Sequence, residues 1–146
     1  MAVKQLEPQE AKTAMDEAEN SVYLDVRTEM EFAQGHPEGA INIPIAVPGA
    51  AGMIPNPDFL NVVQKILSDK EQPVFCGCQS GMRSQMAADL MSRLGYSNLA
   101  NVQGGFGGKV ENGALVVVGW RDSNLPIETD VNESNSYASL KARAES

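Results

Sequence analysis

The chain has 146 residues, 42% hydrophobic and 21% charged, which is enough to bury a core without disulfide or metal staples. Its 11 basic and 19 acidic residues leave a net charge of −8, which excludes general nucleic-acid binding of the kind that needs a basic field. Two cysteines and one histidine exclude a four-ligand zinc site without carboxylates, and Cys76 and Cys78, one residue apart, exclude a disulfide framework.

Val3 to Leu6 is predicted as a short first strand. Pro8 stands where a first helical position tolerates it, and Ala11, Ala14, Met15 and Ala18 form a helical stripe behind it. Val22-Tyr23-Leu24-Asp25-Val26 reads as a strand covered on both faces. Thr28 and Glu31 have the spacing of a capping box, and Gly35 is a stop for a short helix over 29–34. Ala40 to Ile43 is the next strand, ended by Pro44, and a Pro/Gly/Ala-rich loop follows to about Asn56. Asp58 opens a helix with apolar residues at Phe59, Val62, Val63, Ile66 and Leu67.

A strand over 74–78 follows. The next helix, from about Arg83 to Leu94, carries Ala87, Leu90, Met91 and Leu94 on one face, and Gly95 closes it. Leu99 to Val102 is a further strand. Asn112-Gly113 between two strand-like runs predicts a hairpin within about 106–119. Trp120 and Leu125-Pro126 close the domain, set at 1–127, and a polar tail occupies 128–146. Residues 136–144 of that tail are compatible with one or two helical turns or with mobility.

Strands alternating with helices predict an α/β fold, an open, mostly parallel sheet with helices on both faces. In such sheets the ligand site lies beyond the carboxyl ends of the strands. Residues 78–84, Cys78-Gln79-Ser80-Gly81-Met82-Arg83-Ser84, fall at such an end, between a strand and a helix. The first N–H groups of a helix lack partners, and with the helix dipole they favour negative charge. A thiolate, the reactive form of cysteine, is favoured there, which makes Cys78 the candidate nucleophile. Gly81 permits a tight turn that aims successive N–H groups inward as an anion nest. Ser80 and Ser84 supply hydroxyl donors, while Gln79 and Met82 form a neutral rim. Arg83 supplies a permanent charge, either to a substrate or to a structural ion pair.

The chain resembles a single-domain rhodanese, of the rhodanese-like sulfurtransferase family. One block of the resemblance is Leu24-Asp25-Val26-Arg27 through Glu31-Phe32, Gly35-His36 and Gly39-Ala40-Ile41-Asn42-Ile43-Pro44. The other is 78–84 with Ala87-Ala88 and Leu94-Gly95-Tyr96, followed by Gly104-Gly105 and Trp120. The resemblance implies a ping-pong reaction without metal or organic cofactor. Cys78 takes a sulfane sulfur from a small donor such as thiosulfate, and its persulfide passes the sulfur to cyanide or a thiol. A second reading is a persulfide carrier or sensing module that docks a sulfur-accepting protein through the hairpin or the tail. A third, phosphatase or arsenate reductase, is disfavoured because those loops place one more residue between Cys and Arg, and this one holds no acidic residue.

Asp25 and Arg27 end a strand near the same sheet edge and are read as supporting the loop, with an Arg27–Glu31 ion pair across the turn. Cys76 is read as core packing, His36 as a structural hydrogen-bonding residue, and the Gly104-Gly105 and Gly107-Gly108 pairs as turns. Met1 to Leu6 holds no long apolar run, so no signal peptide is expected, and no stretch has bilayer-spanning length. A reducing cytoplasm, which keeps a thiol available, is the expected compartment.

Overall fold

The computed structural model describes residues 3–146; Met1 and Ala2, part of the N-terminal segment read above, lie outside the described residues. Five parallel strands form the central sheet: β1 (Lys4–Leu6), β2 (Val22–Asp25), β4 (Ile41–Asn42), β7 (Val74–Gly77) and β8 (Leu99–Val102), in spatial order β1-β8-β7-β2-β4. Alternation along the strands divides the core. Leu24, Cys76 and Leu99 point to one face, where they meet α3 (Phe59–Ile66) and α4 (Met82–Arg93). Tyr23, Phe75 and Ala100 point to the other, with Ala11 of α1 (Pro8–Glu17), Phe32 of α2 (Glu29–Gln34) and Trp120. The expected α/β architecture with both faces covered is what the chain adopts.

The winding of the chain selects the site. It leaves β2 toward β4 at one edge and leaves β7 toward β8 in the opposite direction. The direction therefore reverses between β2 and β7, and the crevice at their carboxyl ends is where doubly wound sheets bind ligands. Residues 25–27 and 78 meet there. Asn42 closes the β2 end, donating from Nδ2 to the carbonyls of Asp25 at 3.0 Å and Arg27 at 2.9 Å.

Several small elements depart from the sequence reading. The loop expected after Pro44 contains a hairpin, β5 (Ala46–Gly49) and β6 (Gly52–Pro55). His36–Pro37 forms β3, which pairs antiparallel with β11 (Ile127–Glu128). The Asn112-Gly113 hairpin is present as β9 (Lys109–Glu111) and β10 (Ala114–Val117), with both turn residues at positive φ, 52° and 78°. A short 3-10 turn spans Trp120–Asp122.

The segment read as a polar tail ends in α5 (Tyr137–Glu145), and this helix is part of the core rather than an appendage to it. Tyr137, Leu140 and Ala144 lie on one stripe, which explains why a mostly polar segment packs. The Tyr137 hydroxyl accepts from Asn56 Nδ2 at 2.9 Å, and Lys141 pairs with Asp58 at 3.3 Å at the start of α3. Leu140 is fully buried. Leu140→Ala is expected to lower unfolding stability by about 2–5 kcal/mol in urea titrations.

Candidate active site

β7 delivers Cys78 to its end, and Gly81 caps the start of α4 with a φ of 111° that only glycine adopts without strain. This turn brings the Gly81 amide back onto the sulfur, and its N–H donates to Cys78 Sγ at 3.0 Å. The Ser84 hydroxyl lies 3.4 Å from the same sulfur and is itself fully buried. Cys78 is 1% exposed, so the sulfur sits inside its cradle rather than on the rim. Among the described residues, one amide and one hydroxyl reach it, a smaller donor set than a ring of successive N–H groups.

The cradle is clamped from behind. Phe106 N–H donates to the Cys78 carbonyl at 2.8 Å, and Gly107 N–H donates to the Gln79 carbonyl at 2.9 Å. This approach requires glycine at 105, where φ is 55° and a Cβ would lie 2.3 Å from the Cys78 carbonyl oxygen. The glycine pairs read as simple turns therefore hold the loop in place.

Arg27 and Arg83 are each engaged by a carboxylate. Arg27 and Asp25, 3% and 1% exposed, make a bidentate pair, with Nη2 to Oδ2 at 2.8 Å and Nε to Oδ1 at 3.0 Å. Arg27 also donates to the Gly35 carbonyl at 2.6 Å and to Gln79 Oε1 at 3.1 Å, and its guanidinium lies 4.6 Å from the centre of the Phe106 ring. It thereby ties β2, α2, the sulfur loop and the clamp together. The expected Arg27–Glu31 pair does not form, because Asp25 already holds the guanidinium from the same strand. Glu31 instead takes Arg83 in a bidentate pair at 2.8 and 3.1 Å. Of the two roles open to Arg83 in the sequence, the structural ion pair is the one occupied.

The remaining loop residues surround this core. Ser80, Gly81 and Met82 line a cavity of about 340 Å³ with Asn101 and Gln103, and the Met82 side chain is mostly exposed. Among the described residues, no three His, Cys, Asp or Glu side chains converge as a metal site.

Residues 7–110 match the description of a rhodanese-like domain. The chain belongs to the rhodanese-like family. The chloroplastic thiosulfate sulfurtransferase 16 of Arabidopsis thaliana is 43% identical to it over 91 residues, 62% of this chain and 75% of that protein. Thiosulfate sulfurtransferase 18 of the same plant is 34% identical over 129 residues, 87% of this chain and 85% of that one. The crystal structure of Rv0390 from M. tuberculosis aligns with a TM-score of 0.71 at 27% identity, covering 89% of this chain and 100% of that one. At the level of the family, this is a rhodanese-like sulfurtransferase.

Other buried residues of this rhodanese-like chain pack or hydrogen-bond around the site. His36 Nδ1 is 2.7 Å from the Phe32 carbonyl, and its ring stacks on Phe32 with centroids 3.6 Å apart. Cys76 is fully buried, and burial pushes its thiol up to about 12, so it stays neutral where a nucleophile has to be charged. Trp120 closes the opposite face, donating from Nε1 to the Pro126 carbonyl at 2.9 Å. Sequence reasoning missed Asn101, a buried residue of β8 whose Oδ1 accepts from Ser84 at 2.6 Å.

The Glu31–Arg83 pair is expected to make the loop acid-sensitive. The hydrogen bonds from Arg83 hold the Glu31 carboxyl down to about 2, against an ordinary value of 4.5. A depressed carboxyl adds stability that is complete above its ordinary value and is lost as pH falls through the depressed one. The thermal midpoint is therefore expected to fall between about pH 4.5 and pH 2, and Glu31→Gln is expected to flatten that part of the curve.

Proposed function

We propose that Cys78 carries a sulfane sulfur as a persulfide, taking it from thiosulfate or a related small donor and passing it to cyanide or a thiol. The observation that carries this reading is the Gly81 amide aimed at Cys78 Sγ from the N-cap of α4, at the crevice where the sheet reverses direction. In the first half-reaction the Cys78 thiolate attacks the outer sulfur of thiosulfate. An S–S bond forms, the old one breaks, and sulfite leaves with its electron pair. In the second, the acceptor attacks the outer sulfur of the persulfide, and Cys78 departs as thiolate. The Gly81 amide steadies the negative charge that Sγ carries at the start of the first step and regains at the end of the second. No proton-transferring base is required once the thiol is ionised.

The engagement of Arg83 favours sulfur over phosphate chemistry. A transferring phosphoryl group calls for a free, fork-shaped guanidinium, and Glu31 occupies that fork. The pairing of two free thiols one residue apart suits a reducing compartment such as the cytoplasm.

Intact-mass measurement tests the reading. Exposure to thiosulfate is expected to add the mass of one sulfur atom, and cyanide is expected to remove it within the turnover time. A protein that gains no sulfur, or gains it on Cys76, overturns the proposal. Sulfur that is gained and then released only slowly to cyanide identifies a carrier instead of an enzyme.

A further inference from the structure

We propose that Asn101 sets the reactivity of Cys78 by holding the single hydroxyl proton of Ser84 away from the sulfur, so that Ser84 is a two-position donor. The inference rests on the reading of Cys78 as the sulfur nucleophile. It concerns a residue on a different strand.

Ser84 Oγ has one proton and two nearby acceptors, Asn101 Oδ1 at 2.6 Å and Cys78 Sγ at 3.4 Å. All three side chains are at most 3% exposed, so water does not settle the competition. The direction of the Asn101 amide is fixed by a chain of hydrogen bonds running to the surface. Gln85 Nε2 donates to the Asp89 carboxylate at 3.0 Å, and a carboxylate only accepts. Gln85 therefore turns its oxygen to Gln5, which donates to it. Gln5 in turn offers its own oxygen to Asn101 Nδ2 at 2.9 Å. That leaves the Asn101 carbonyl facing Ser84, and the shorter contact takes the proton.

With its proton on Asn101, Ser84 presents lone pairs to the sulfur. It is then a good acceptor for the neutral Cys78 S–H and a poor neighbour for a thiolate. When charge settles on the sulfur, as the thiol ionises or as the persulfide is consumed, the hydroxyl turns and donates to it. The Asn101 contact breaks as the Ser84–sulfur contact forms, and no atom leaves or enters. Asn101 is thus a positioning residue acting through Ser84. The other titratable groups around the thiol are Cys76 on β7, Tyr23 and the Asp25–Arg27 pair from β2, and Arg83 with Glu31 from α4 and α2.

The test is the rate of Cys78 alkylation by iodoacetamide at neutral pH, located by peptide mass spectrometry, which does not require sulfur transfer to occur. Asn101→Leu releases the hydroxyl to the sulfur and is expected to speed alkylation, on the order of tenfold for one hydrogen bond to a charged group. Asn101→Asp, nearly the same shape, holds the proton more tightly and is expected to slow it. In a Ser84→Ala background the Asn101→Leu acceleration is expected to vanish. Changes of the same sign in the two Asn101 variants, or an Asn101→Leu effect that survives Ser84→Ala, overturn the proposal. Failure of persulfide formation alone, with these alkylation differences intact, overturns the sulfurtransferase reading and leaves the Ser84 device standing.

Discussion

Cys78→Ser is expected to reduce thiosulfate-to-cyanide sulfur transfer by on the order of a thousandfold or more, whereas Cys76→Ser keeps most of it. The two thiols are one residue apart on the same face of the sheet and are both buried, so exposure does not separate them. Their partners do. Cys78 has an amide aimed at its sulfur at 3.0 Å and a hydroxyl oxygen 3.4 Å away. Cys76 packs among core side chains, where burial pushes its thiol up to about 12. A thiol that remains neutral at working pH is not a sulfur nucleophile. Steady-state assays of the two variants, with intact mass after thiosulfate, decide the matter. Loss of activity in Cys76→Ser equal to that in Cys78→Ser would show that the two thiols act as a pair.

The second large effect is expected at Arg27. Arg27→Ala strands the Asp25 carboxylate, 1% exposed, without its counter-ion and is expected to cost about 3–5 kcal/mol of unfolding free energy. Part of that cost comes from the Gly35 carbonyl and from Gln79 Oε1, which lose a donor at the same time. Replacing the pair together, Asp25→Leu with Arg27→Met, is expected to recover much of the loss, because the penalty lies in the orphaned charge. Chemical denaturation of the single and double variants measures it. A double variant as unstable as Arg27→Ala would place the cost in the lost packing against Phe106 instead.

What could be read from the sequence was what is local in it. The main strands are apolar runs and the helices carry 3.6-residue stripes, so β2, β7, α3 and α4 were expected within a residue or two of their places. The sulfur loop was legible because its seven residues are consecutive. Contacts made by the sheet were not. Arg27 and Glu31 look like partners at four residues' spacing, yet Glu31 reaches Arg83, 52 residues away, because α2 and α4 start at the same end of the sheet. Asn101 sits in a four-residue strand with no local mark of function, and its partner Ser84 is 17 residues away. The β5–β6 hairpin escaped notice because its strands are mostly exposed and leave no alternating core pattern. In α5 the stripe of three buried side chains is masked by the polar residues between them.

That last helix has a consequence for biosynthesis. Leu140 and Ala144 complete the packing against α3, so that side of the core stays open while the ribosome still encloses them. The nascent chain exposes apolar surface until these residues clear the exit tunnel, and during translation a chaperone has its opportunity to bind on that side of the sheet.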